Sequence, residues 1–144
     1  MSALSLMAVP VMLKTTSEPA QLYKQWVVMY GYGHQVLPGL AIVTAALYAR
    51  IASVQRMKNR PWLRFTLAGL ATVSIIPFTL ICMMSTNDTL FALEKDSRAG
   101  NVRLSIGEAK AIVSWWSWLH LIRSMMPLVG VVCGVMANAR NSRG

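Results

Sequence analysis

Acidic side chains are scarce. Five Asp and Glu stand against fourteen Lys and Arg in 144 residues, and charged residues of both signs make up only 13% of the chain. Soluble domains carry about a quarter charged residues, whereas 55% of this chain is hydrophobic. The shortage of charge argues against an ordinary water-soluble domain and points to a protein of the bilayer. A net charge of +9 on a soluble protein would suggest nucleic acid as a partner. No zinc finger, RNA-binding aromatic motif or basic–aromatic array is present, so no nucleic acid is expected, and the excess charge reads as one basic face at a membrane.

Cysteine is also scarce. Cys82 and Cys133 lie singly inside apolar runs, which gives no disulfide framework and no Cys-x-x-Cys metal or redox motif. Both read as small buried hydrophobes. There is no nucleotide-binding loop, no haem-attachment motif and no Ser-His-Asp set. Histidine is limited to His34 and His120. With Asp88 they would make three ligands, but their spacing carries no metal signature, and no metal is assigned.

What the chain does contain is long apolar runs. Residues 33–54, 62–84 and 111–137 each hold about 20 or more mostly apolar residues, the length that a hydrocarbon core of about 30 Å demands. Pro38, Pro77 and Pro127 each fall inside one, as membrane helices tolerate, and a kink is expected at each. The opening stretch, residues 1–13, is apolar but short of a span, and it lacks the basic start of a signal peptide. The expectation is an all-α integral membrane four-helix bundle, one transmembrane domain over residues 1–144, with a first helix that is short or truncated. Arg50, Arg56, Lys58, Arg60 and Arg64 lie together between the first two full spans with no acid among them, and Arg140 and Arg143 follow the last. Basic residues mark the cytosolic side, so the C-terminus is expected in the cytosol. Residues 85–110, where four basic residues face four acids, are expected as a loop on the lumenal side.

This topology brings scattered polar residues to one depth. His34 opens the first full span on the lumenal side, and Asn87 and Asp88 follow the second. His120 lies about 13 Å below the lumenal end of the last span at 1.5 Å per residue. At about 100° per residue, Trp116, His120, Arg123 and Pro127 share a stripe about 60° wide. Gly130 and Gly134 continue the stripe as a GxxxG, a pattern that lets helices approach closely. A pocket open above and closed below is expected. Ionisable groups inside a span mark functional sites by default, yet each residue has a plainer reading. Trp115 and Trp118 fit an interfacial belt, and Trp116 fits either belt or pocket. His120 fits a hydrogen-bonded core histidine, and His34 a structural residue at the boundary. Arg123 fits a pair with a carboxylate such as Asp88, and the GxxxG fits either internal packing or a homo-oligomer. Asn87-Asp88-Thr89 is an N-x-T sequon set too close to the membrane for ready glycosylation. A neutral histidine in an apolar, tryptophan-lined pocket suits removal of a proton from a weak carbon or phenol acid. An amide and a guanidinium would stabilise the oxyanion, and aromatic walls would hold a flat apolar substrate.

The segments TNDTLFALEKD and WSWLHLIRSMMPLVG, together with EPAQLYKQWVVMYGYGHQVLPGLAIVTAALYA and RPWLRFTLAGLATVSIIPFTLICM, resemble the anthrone oxygenase family of small membrane proteins, in its fungal polyketide-cluster branch. The likeness covers nearly the whole chain and is carried most tellingly by Asn87, Trp116, His120 and Arg123. It implies four membrane helices, a location in the endoplasmic reticulum or a derived vesicle, and oxidation of an anthrone to an anthraquinone with dioxygen, with no flavin, haem or metal. On that resemblance His120, Asn87 and Arg123 are the expected catalytic residues, and Trp116, His34 and Asp88 the expected substrate-binding ones. The contrasting reading is a non-enzymatic membrane subunit or scaffold whose polar stripe only holds helices together.

Overall fold

The fold, taken from a computed structural model that describes residues 4–141, contains helices and turns and no strand among the described residues. The first three residues of the N-terminal apolar stretch and Arg143 lie outside the described residues, as do the side chains of Cys133 and Arg140. Helix α1 opens with a π-helical turn over Leu4–Ala8 and continues as α-helix over Val9–Thr15. Helix α2 runs Pro19–Met57, α3 runs Leu63–Arg98 and α4 runs Ile106–Asn141.

The ends of these helices follow from local chemistry. Pro19 starts α2, where its missing N–H leaves nothing unsatisfied. At its other end Asn59 takes a φ of +51°, and the N–H of Arg60 closes back on the Gln55 carbonyl at 2.9 Å, a Schellman cap followed by Pro61. The same device ends α3: Gly100 has φ +83° and the N–H of Asn101 bonds the Asp96 carbonyl at 3.0 Å. A capping box starts α4. The Ser105 N–H donates to Glu108 Oε2 at 2.9 Å, while the Glu108 N–H reaches Ser105 Oγ at 3.4 Å. Within α3 the ladder breaks at Ser74 and is replaced by a π-helical turn over Thr79–Met83. Pro77 accounts for this break, because it offers no N–H to the Val73 carbonyl and crowds it.

The helices reach well beyond the apolar runs. The 39 residues of α2 extend about 58 Å at 1.5 Å per residue, nearly twice a hydrocarbon core. Residues 85–110 are not a loop: α3 continues to Arg98, and only Ala99–Ser105 connects it to α4. The correction has a physical cause. Hydropathy marks where a helix is apolar, not where it ends, and the polar half of α3 is held by burial of Asn87, Leu90 and Glu94 against its neighbours. Among the described residues two helices, α2 and α3, are long and apolar enough to cross a membrane.

The main core lies at the end of the bundle near Ala99–Ser105, where Leu22, Tyr23 and Trp26 of α2 meet Leu90 of α3, Val113 and Trp116 of α4 and Val9 of α1. At the opposite, basic end a smaller cluster joins Ala52 and Phe65, with Tyr48 against it. Between the two, α4 lies close to α3 and α2 through the small-residue pair. A methyl group on Gly130 would lie 2.8 Å from the Ala68 carbonyl oxygen, and one on Gly134 would lie 2.8 Å from the Tyr48 hydroxyl. The GxxxG therefore packs within the chain. Cys82, expected inside, is exposed, because the helical register turns it outward next to Ile81, another exposed apolar side chain.

Two outcomes test this architecture. Gly130→Ala pushes against backbone and should cost about 1–3 kcal/mol as overpacking, seen as a lower Tm in detergent; Gly134→Ala meets the outer ring of the Tyr48 side chain rather than backbone and should cost less. The hydrogen bonds from the Ser105 side chain and backbone hold the Glu108 carboxyl below its ordinary value. A depressed folded-state value means its contribution is present above the unfolded value and lost as pH falls through the folded one. Thermal scans at falling acidic pH should show that loss, and Glu108→Gln should remove the difference.

Candidate active site

The polar residues of the bundle meet at a cavity of about 360 Å³, within the range of small-molecule sites, about 300–1,000 Å³. Helix α2 supplies Tyr30 and His34, one turn apart. Helix α3 supplies Thr79 from its π-helical turn. Helix α4 supplies Trp116, His120 and Arg123. Ile42, Ile75, Ile76 and Leu80 complete an otherwise apolar wall.

Two aromatic ladders flank this space. On α2, Trp26 stacks on Tyr30 with ring centres 5.1 Å apart, and Tyr30 stacks on His34 at 5.5 Å and 24°. On α4, Trp116 lies 5.0 Å from His120. Trp26 meets Trp116 edge-on at 5.6 Å, and Phe91 of α3 stands edge-on to Tyr30 at 5.3 Å. Edge-to-face and offset pairs at these distances are the favoured aromatic geometries, so the rings hold one another in place.

His120 is 1% exposed. Its Nδ1 lies 3.0 Å from Ser5 Oγ on α1, so the ring is fixed on one side and faces the cavity on the other. Ser124 Oγ donates to the His120 carbonyl at 2.8 Å. Arg123 donates from one terminal nitrogen to Thr79 Oγ1 at 3.1 Å, and Thr79 donates to the Ile75 carbonyl at 2.6 Å. The Arg123 Nε is buried without a partner. Among the described residues the ion pairs are Glu94–Arg98 and Asp96–Arg103, and neither involves Arg123. The pair with Asp88 weighed from sequence does not form. A guanidinium at the wall of an apolar cavity, lacking a carboxylate, is a place for an anionic or strongly polarised oxygen.

Four of the six site residues expected from sequence, His120, Arg123, Trp116 and His34, line one cavity. Asn87 and Asp88 do not. Asn87 is buried behind the wall, where its Oδ1 accepts the indole N–H of Trp116 at 2.9 Å and its Nδ2 donates to the Tyr30 hydroxyl at 3.5 Å. Asp88 is exposed. Continuous helix explains both corrections: adjacent residues differ by about 100° in direction, so burying Asn87 turns Asp88 outward. It also makes Asn87 a poor glycan acceptor. Among the described residues no group of three His, Cys, Asp or Glu side chains lies together, so His34, His120 and Asp88 do not form a ligand set. Trp115 and Trp118 are exposed, as side chains of an interfacial belt would be. Sequence reasoning missed Tyr30, Thr79 and Ser5. For Tyr30 a signal existed: Trp26, Tyr30, His34 and Pro38 recur every fourth residue, a stripe to match the one on α4. Ser5 carries no local signal.

A family model described as anthrone oxygenase matches residues 26–133. The chain belongs to the anthrone oxygenase family. Curated relatives agree. The anthrone oxygenase AgnL2 of Paecilomyces divaricatus is 54% identical, over 93% of this chain and 83% of that protein. The anthrone oxygenase gedH of Aspergillus terreus is 41% identical, over 92% of this chain and 85% of that protein. The noranthrone monooxygenase of Aspergillus flavus is 38% identical, over 94% of this chain and 65% of that protein. No solved structure matches the chain significantly. In this anthrone oxygenase family member every cavity residue from Tyr30 to Arg123 falls inside the matched span, and Ser5 falls before it.

The Trp116–Asn87 bond is open to direct test. Asn87→Leu keeps the volume and leaves the buried indole N–H unpaired, which costs about 1–3 kcal/mol. Thermal unfolding in detergent should show that loss, a similar one for Trp116→Phe, and less than the sum for the double variant.

Proposed function

We propose that the protein is a membrane-integral oxygenase, one four-helix transmembrane domain over residues 1–144, that converts an anthrone to an anthraquinone with dioxygen in aromatic polyketide biosynthesis and without an added cofactor. The observation that carries the reading is His120, buried, held at Nδ1 by Ser5, and facing an apolar cavity beside the guanidinium of Arg123, whose Nε is without a partner. The relatives' names supply the substrate class. Membrane insertion is supported by exposed apolar side chains such as Leu40, Val43 and Leu47 on α2, Leu67 and Leu70 on α3, and Leu128 and Val132 on α4; soluble proteins rarely expose such continuous surface. The basic end of the bundle, from Arg50 to Arg64, favours a cytosolic C-terminus. The membrane is that of the endoplasmic reticulum or a derived vesicle.

The chemistry follows from the groups present. Ser5 Oγ occupies Nδ1, which leaves Nε2 to face the substrate; in the tautomer whose Nδ1–H donates to Ser5, Nε2 carries the free lone pair and is the base. It removes a proton from the doubly benzylic methylene of the anthrone, giving an aromatic anthranolate whose oxyanion is stabilised by Arg123. The electron-rich anion passes one electron to dioxygen. The carbon radical and superoxide combine to form the new C–O bond, and the resulting peroxide takes the proton back from His120. Loss of the second methylene proton as the O–O bond breaks gives the carbonyl. One oxygen atom of O2 ends in the quinone, and the other leaves as water with both methylene hydrogens. The substrate is the reductant, so atoms and electrons balance without another electron donor. Trp116 and His34 supply flat walls for the ring system.

The experiment is oxygen uptake by detergent-purified protein with emodin anthrone and a metal chelator, corrected for spontaneous oxidation. Uptake above background is expected, with a loss of about 100-fold or more in His120→Ala, the usual contribution of a positioned general base. A variant that keeps the full rate would remove His120 from the mechanism, and chelator sensitivity would overturn the cofactor-free reading.

A further inference from the structure

We infer that Tyr30 is a second donor to the substrate's oxygen, acting with Arg123, and that Asn87 serves to aim it. The inference rests on the oxygenase reading for the identity of the substrate, but its argument is one of donors and acceptors. The indole N–H of Trp116 can only donate. It lies 2.9 Å from Asn87 Oδ1, which fixes the Asn87 amide with its carbonyl toward α4. Its NH2 group then points to α2, where it meets the Tyr30 oxygen at 3.5 Å. Because an amide NH2 has no acceptor to offer, the Tyr30 oxygen accepts there, and its own proton is left for another partner. Tyr30 lines the cavity with Arg123 and His120, and the described structure gives the phenol proton no acceptor of its own. The ring is held by Trp26 on one side, His34 on another and the edge of Phe91, so the hydroxyl has a fixed direction before a ligand arrives. Preorganised donors of this kind are what stabilise a developing oxyanion. An aromatic substrate with a carbonyl or enolate oxygen would meet the phenol O–H and the guanidinium N–H together, while its rings lie against apolar wall.

This assigns Asn87 a positioning role in place of direct contact. It also explains why an amide is placed where no cavity reaches it. One end of it takes the Trp116 proton, and the other end leaves the Tyr30 proton free. Leucine or aspartate at position 87 would fail to do both, the first for lack of polar atoms and the second for lack of a donor.

The test uses Tyr30→Phe, which keeps the stacked ring and loses the hydroxyl, in the full-length detergent-purified protein. Two ligands are titrated by quenching of tryptophan fluorescence: a dihydroxyanthraquinone, which carries oxygens and is not oxidised further, and anthracene, which has the same three rings and no oxygen. The variant should bind the quinone roughly 3- to 10-fold more weakly, the usual worth of one neutral hydrogen bond, and bind anthracene as the wild type does. Asn87→Leu should weaken the quinone in the wild-type background and have no further effect in Tyr30→Phe. With emodin anthrone, Tyr30→Phe should lower kcat on the order of 100-fold, as removal of one oxyanion donor does, with a smaller change in KM. Unchanged quinone affinity and unchanged kcat would overturn the assignment, and equal loss of both ligands would make Tyr30 a packing residue only. If the wild type oxidised no anthrone, the oxygenase reading would fail, and the quinone-against-anthracene comparison would still decide the role of Tyr30.

Discussion

The hydrogen bond from Trp116 to Asn87 is the interaction on which the site depends. It joins α4 to α3 in a place where water cannot substitute for either partner, and it orders a third helix through Tyr30. A buried polar group without a partner costs more than the bond itself returns. Each of these side chains is therefore held by the need to satisfy its neighbour. The indole holds the amide, the amide directs the phenol, and the stacked rings of Trp26 and His34 keep the phenol in its plane. A cavity whose walls were only apolar would have no such fixed orientation.

Helix α3 runs on past its apolar stretch toward Ala99–Ser105, and this bears on where the cavity sits. The main core occupies the end near Ala99–Ser105, and the tight approach of Gly130 and Gly134 closes the bundle toward the basic end. The cavity lies between, where α3 departs from regular helix at Pro77 and the π-helical turn over Thr79–Met83 brings Thr79 to Arg123. A helix without that irregularity would repeat its face every 3.6 residues and place residue 79 differently with respect to α4. The proline thus belongs to the site although it makes no polar contact there.

Much of α4 was legible in the sequence, because periodicity is strongest where polar residues are rare. Trp116, His120 and Arg123 stood out against an apolar run, and a regular helix put them on one face. The role of Asn87 was not legible. It was read as part of a loop over residues 85–110, free to reach the substrate, whereas helix continues for eleven residues beyond it to Arg98. Its polar neighbours Ser85, Thr86 and Asp88 hid the helix, which is held by tertiary packing in spite of low hydropathy. Tyr30 was missed for the mirror-image reason. Its span was started at residue 33, so the stripe formed by Trp26, Tyr30, His34 and Pro38 was cut in half. Ser5 could not have been found at all, since nothing in the local sequence of α1 says that it packs against residue 120.

The placement of Ser5 bears on what α1 contributes beside the cavity. A histidine buried in an apolar bundle can donate from either ring nitrogen, and the two tautomers are near in energy when nothing distinguishes them. The Ser5 hydroxyl can accept from Nδ1–H or donate to a bare Nδ1, so it fixes the direction of the ring rather than its tautomer; α1 supplies it from the side away from the cavity, with Val9 packed into the core and Ser117 donating to the Ser5 carbonyl at 3.4 Å. The ring nitrogen left facing the cavity is then set by a helix whose Ser5 does not line it. On the proposed reading His120 and Arg123, side by side at the cavity, divide the work between them. In the proposed reaction one takes a proton, and the other faces the negative charge that removal of the proton leaves behind.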